Sequence, residues 1–85
     1  MSAKIFFHRG VEKDLKKVPK NIRQKFFRAT EKLSQNPLSG IPLKGEFEGS
    51  RKIRLGNYRI VYVFNPKTQV VTVYRVEPRQ GVYKR

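Results

Sequence analysis

The stretch Arg51-Lys52-Ile53-Arg54-Leu55-Gly56-Asn57-Tyr58-Arg59-Ile60-Val61-Tyr62 holds the side chains best suited to chemistry. It reads as two alternating strands joined by a tight turn at Gly56-Asn57, two residues that tolerate positive φ. With that turn, Leu55 faces Tyr58, Arg54 faces Arg59 and Ile53 faces Ile60. Lys52, Arg54 and Arg59 then leave the same face of the sheet, and no carboxylate lies within the segment. Like charges opposite each other on neighbouring strands repel. Such a cluster implies an anion, and phosphate is the usual one for arginine.

Other catalytic sets are poorly represented. His8 is the only histidine and cysteine is absent, so neither a metal site nor a cofactor is expected, and a Ser-His-Asp arrangement has no nucleophile near its one histidine. Glu46 and Glu48 are the nearest thing to a glycosidase carboxylate pair, but they sit in a Gly-containing loop and read as solvated. No Gly-x-x-x-x-Gly-Lys loop is present. Lysine, arginine and tyrosine remain. They can grip a phosphodiester and stabilise charge that develops on it. Lys52, set among Arg51, Arg54 and Arg59, suits a base or an electrostatic clamp, because neighbouring positive charge disfavours an ammonium. Arginine is effectively never deprotonated, so Arg54, Arg59 and Arg79 are clamps. Tyrosine can stack on a base splayed out of single-stranded RNA, and Tyr83, in a polar basic tail, is the best candidate.

The elements that must position these groups can be read from spacing. Ile5-Phe6-Phe7 suits a first strand. Val11 to Val18 places apolar residues four and seven apart, on one helical face. Pro19 ends that helix. A second helix is expected from Lys20 or Asn21 to Gln35, with Ile22, Phe26, Ala29 and Leu33 as its apolar stripe and Asn36-Pro37 as its stop. Leu38 to Ser50 reads as a loop. Strands follow over Arg51–Leu55, Tyr58–Phe64 and Val70–Val76, antiparallel through short turns and ended by Pro78. Tyr58 and Tyr62 belong to the apolar face. The eight cations Lys13, Lys16, Lys17, Lys20, Arg23, Lys25, Arg28 and Lys32 line polar helix faces and read as solvated.

Composition agrees with a polyanion partner. The chain has 85 residues, enough for one small domain over 1–85, and twenty Lys and Arg against six acids give a net charge of +14. Nucleic acid comes first, an acidic protein second and an anionic membrane third. No apolar run approaches the ~20 residues of a membrane span and no signal peptide is evident, so no membrane role and a cytoplasmic location are expected.

Taken with Val76-Glu77-Pro78-Arg79-Gln80-Gly81-Val82-Tyr83, the Arg51–Tyr62 pattern resembles the RelE/ParE toxin superfamily, and most of all the RelE-type toxins of toxin–antitoxin pairs. The resemblance covers nearly the whole chain. It implies an α+β fold: an N-terminal strand, a two-helix hairpin, then a twisted antiparallel sheet of about four strands. It also implies an endoribonuclease that inhibits translation by cleaving mRNA in the ribosomal A site. There the 2′-hydroxyl attacks the adjacent phosphate, with no metal. By the resemblance, Lys52 is the first catalytic lysine, Arg54 stands where such enzymes commonly carry a second lysine, and Arg59 binds phosphate. Arg79 acts on the leaving oxygen and Tyr83 stacks. Arg51, Arg75, Lys84 and Arg85 are expected to add contacts to RNA. The implied partners are an acidic antitoxin, the ribosome and mRNA, with promoter DNA reached only through the antitoxin complex. The alternatives are a ParE-like gyrase inhibitor without RNA chemistry and a non-catalytic basic RNA binder. The nuclease reading requires the cations to converge on one patch and not to be tied up by Glu46, Glu48 or Glu77. It also expects Arg59→Ala and Arg79→Ala to abolish cleavage while leaving the fold intact.

Overall fold

In a computed structural model the chain is described over residues 2–78, apart from the side chain of Glu46. Strand β1 spans Lys4–Phe7, helix α1 Gly10–Lys16 and helix α2 Lys20–Gln35. Strands β2 (Ile41–Pro42), β3 (Arg51–Leu55), β4 (Tyr58–Asn65) and β5 (Val70–Pro78) follow, with a 3-10 turn at Gly45–Phe47.

Pro19 both closes α1 and opens α2. Its backbone is extended (ψ 157°), and its carbonyl accepts the N–H groups of Ile22 and Arg23 at 3.0 and 3.1 Å. Proline fits a helix start because its own missing N–H lies where no partner is needed. The expected stripe is buried: Ile22, Phe26, Ala29 and Leu33 all join the core.

The five strands form one sheet in the order β1-β5-β4-β3-β2. Three refinements follow from the structure. The first strand enters parallel to β5, so the sheet is mixed rather than wholly antiparallel. The Leu38–Ser50 segment is not all loop, since Ile41 and Pro42 pair with Lys52 and Arg51 as a short edge strand. Only Gly56 takes positive φ in the β3–β4 turn (61°), which is the II′ pattern with glycine first.

The β3–β4 register is the one read from the sequence: Leu55 with Tyr58, Ile53 with Ile60, Arg54 with Arg59. One sheet face carries Leu55, Ile60, Tyr62, Val71, Val73 and Val76 into the core against Val11, Val18 and the α2 stripe. Each fully buried Leu, Ile or Phe contributes roughly 1.5–3 kcal/mol. Arg51 and Tyr62, opposite each other on β3 and β4, together pin the segment before β2. The Tyr62 hydroxyl donates to the Pro37 carbonyl and accepts from the Gly40 N–H, both at 2.8 Å. Arg51 donates to the Gly40 carbonyl at 2.8 Å.

β5 carries an irregularity that matters for the site. Val61 pairs with Arg75 but Tyr62 pairs with Val73, leaving Tyr74 as an extra residue. A bulge of this kind shifts the facing of every residue beyond it. Val76 therefore joins Val71 and Val73 in the core, while Arg75 and Glu77 turn to the other face. Asp14 on α1 supports the shift by accepting the Val76 N–H at 3.0 Å, past the end of β1. The Tyr74 ring rests 5.5 Å from that of His8. Among the described residues no helix is long and apolar enough to cross a membrane.

Candidate nucleic-acid interface

The face opposite the core carries two cross-strand rows. One runs Arg54–Arg59–Glu77 and the next Lys52–Val61–Arg75 across β3, β4 and β5. Lys52, Arg54 and Arg59 are thus brought together as their alternation predicts, and Arg75 is added to them. Arg54 is exposed and Lys52 is half-buried.

The condition that Glu77 leave these cations free fails at Arg59 and Arg75 and holds, among the described residues, at Lys52 and Arg54. Arg59 Nη2 and Nε lie 2.7 and 2.8 Å from Glu77 Oε2, and Arg75 Nε lies 3.2 Å from Glu77 Oε1. The side chains of Arg59 and Glu77 are only 11% and 17% exposed, so this pair is part of the sheet's framework. Among the described residues both ion pairs end on Glu77, and neither involves Lys52 or Arg54. The bulge explains why the pairing was hidden. Counted back from the Asn65–Val70 pair without it, Arg59 meets Val76 and Glu77 points into the core. It follows that Arg59→Ala cannot leave the fold untouched, because it abandons a nearly buried carboxylate.

Arg51 is directed away from this patch. It sits on the core side of β3, half-buried, holding the carbonyls of Gly40 and Leu38. Both bonds come from its Nη1. Arg79, Tyr83, Lys84 and Arg85 lie outside the described residues. Tyr58 and Tyr62 pack with the core, as their face predicts, and Tyr74 is exposed beside His8. His8 flanks α1, its Nδ1 accepting the Gly10 N–H at 3.3 Å. Of the helical cations, Arg23 is not simply solvated: its Nη1 donates to the Val18 carbonyl at 2.9 Å, closing the end of α1 onto α2.

Electrostatically the patch is a set of fixed cations on a rigid sheet. Arg54 stands opposite Arg59, whose charge is offset on its far side by Glu77. This row lets one strand of the pair present a free guanidinium without three adjacent like charges. Arg54 and Lys52 are left to meet an external anion. A phosphodiester could lie across them, with the buried Arg59 behind. Among the described residues no group of three His, Cys, Asp or Glu side chains is placed to hold a metal ion.

Comparison with known proteins converges on one family. Residues 5–83 match the family described as the ParE toxin of type II toxin–antitoxin systems, parDE. The chain belongs to this family, within the RelE/ParE superfamily of toxins. It is similar to toxin RelG of Mycobacterium tuberculosis, with 33% identity over 81 residues, covering 93% of each chain. Among solved structures it superposes on a chain of the toxin–antitoxin complex RelBE2 from Mycobacterium tuberculosis with a TM-score of 0.83 and 31% identity, covering 93% of this chain and 100% of that one. The archaeal RelE–RelB complex from Pyrococcus horikoshii OT3 gives a TM-score of 0.78 at 25% identity, covering 94% and 98%. The chain is therefore a RelE-like toxin of a toxin–antitoxin pair.

Proposed function

We propose that this toxin is a ribosome-dependent endoribonuclease that cuts mRNA in the A site, and that the open sheet face is where it does so. The observation that carries the reading is the pairing of Arg54 with Arg59 beside Lys52, on the sheet face opposite the core. Arg54 holds the non-bridging oxygens of the scissile phosphate, with Arg59, fixed by Glu77, adding its charge from behind. Lys52 takes the proton of the 2′-hydroxyl as the 2′-oxygen bonds to phosphorus. The bond to the 5′-oxygen breaks, leaving a cyclic phosphate and a 5′-oxyanion that is protonated from water. Arg79 stabilises that leaving oxygen and Tyr83 stacks on a neighbouring base. Fixed cations aimed at developing charge are commonly the largest catalytic contribution in such sites. Work on ribosomes sets the site of action in the cytoplasm.

An acidic antitoxin is the proposed silencing partner. The charge of +14 favours it, and RelBE2 and the Pyrococcus horikoshii RelE–RelB pair are solved as toxin–antitoxin complexes. Such a segment commonly folds as it binds.

The test is expression in a translating extract with the mRNA ends mapped. Cleavage within translated codons, absent when ribosomes are withheld, is expected. Intact message under full expression would overturn the reading. A second reading, gyrase inhibition without RNA chemistry, is the one the ParE resemblance implies, and the matching family is described as the ParE toxin. A supercoiling assay without ribosomes separates the two.

A further inference from the structure

β2 reaches along β3 only as far as Lys52, so from Ile53 onward β3 is an open sheet edge. α2 runs beside that edge, and between them lies a cleft of about 420 Å³. Its lining includes Lys25, Arg28 and Lys32 from α2 and Arg54 from β3. Of the eight helical cations that looked alike in sequence, these three are singled out. Spaced three and four apart, they share one face over about 10 Å of helix. All four cations are exposed, and no carboxylate lines the cleft. Of its apolar lining residues, Ala29 and Leu55 are buried and Ile53 is half-buried, so the four cations surround an apolar floor. Four exposed cations with no carboxylate among them favour a phosphate backbone. Arg54 belongs both to this cleft and to the Arg54–Arg59–Glu77 row, which makes the two surfaces continuous around the β3 edge.

We infer that this cleft is a second phosphate-binding station, which takes the backbone of an RNA strand as it leaves the open sheet face. The inference deepens the proposed RNA-directed function and rests on it for the direction of the strand. Three further phosphate contacts add about 2 to the magnitude of the slope of log K against log salt for a single strand.

The experiment uses 2′-O-methyl RNA, which cannot be cleaved by 2′-hydroxyl attack. Binding of a trinucleotide and of a twelve-nucleotide strand is followed by fluorescence anisotropy over a salt series. The unmodified chain is compared with K25A/R28A/K32A, whose unchanged fold is checked by circular dichroism. For the longer strand the variant is expected to lose about 2 from the salt slope and at least about tenfold in affinity, with a much smaller loss for the trinucleotide. Equal slopes and affinities for the longer strand would overturn the station, as would failure of the unmodified chain to bind it. A poly-glutamate peptide provides the remaining arm. If the variant loses the peptide but keeps the RNA, the cleft serves an acidic protein and the inference is wrong. Since the RNA is uncleavable, the outcome is independent of whether message is cut in the extract, and the two readings fail separately.

Discussion

Glu77 faces Arg59 directly across β4 and β5 and receives two of its N–H groups on a single oxygen, at 2.7 and 2.8 Å. The carboxylate also reaches Arg75, so one acid organises two arginines at the rim of the basic face. Breaking a buried pair from one side costs about 3–5 kcal/mol, and the slight exposure here lowers that to about 2–3 kcal/mol. Glu77→Gln should therefore lower unfolding free energy by that amount in urea titrations. It should also tighten RNA binding, since it removes the negative charge that pairs with Arg59 and Arg75. Unchanged stability within about 0.5 kcal/mol would show that the pair contributes nothing.

Arg54→Ala and Lys52→Ala are the clean probes of cleavage. Neither side chain is ion-paired among the described residues. Loss of one charge-stabilising donor typically costs about 10²–10³ in rate, and surface substitutions cost about 0.5 kcal/mol or less. Both variants should thus lose cleavage in a translating extract and keep their melting temperature. Arg59→Ala should lose both. A variant at Arg54 that cuts as well as the parent would remove that residue from the site.

Burial raises the Tyr62 phenol above its ordinary range, opposed in part by the hydrogen bond from the Gly40 N–H and by the Arg51 charge. Above about pH 10 the unfolded chain releases this proton while the folded chain retains it, so stability should fall as pH rises. Tyr62→Phe should flatten that alkaline decline. It should also cost about 1–3 kcal/mol at neutral pH, because the Gly40 N–H and the Pro37 carbonyl lose their partner. Urea titrations at pH 7 and pH 10.5 measure both effects.

Gly40 tolerates no side chain. A Cβ there would lie 2.6 Å from the Tyr62 hydroxyl and 2.8 Å from the Lys52 carbonyl. The backbone oxygen cannot step aside, and Gly40→Ala should cost about 3 kcal/mol or somewhat more. Thermal unfolding of G40A tests this; a melting temperature equal to the parent would mean the segment before β2 is free to move.

Much of this architecture was legible because local rules and tertiary packing agree. The 22-26-29-33 stripe could only be one helix face, and Gly56 at the hairpin tip fixed which β3 residue meets which on β4. Alternation along β3 also separates Arg51 from Lys52, so Arg51's structural task was readable in principle. The bulge at Tyr74 was not. It depends on where β1 stops and on Asp14 reaching Val76 from a distant helix, and a one-residue shift exchanges the two faces of a strand. For that reason Glu77 was visible as an acid but not as the partner of Arg59. The two residues of β2 carry too little pattern to distinguish an edge strand from loop. The cleft cations were indistinguishable from their neighbours until β3 was set beside α2.

The parallel union of β1 with β5 joins Lys4–Phe7 to Val70–Val73, stretches far apart along the chain. Closing so long a loop delays folding, since its entropy is lost before the contacts form. A nascent chain that has not yet reached Val70 has no strand for Lys4–Phe7 to join and no Glu77 to hold Arg59. The basic face therefore acquires its final arrangement only once β5 has been made, and a chain cut short before Val70 lacks it.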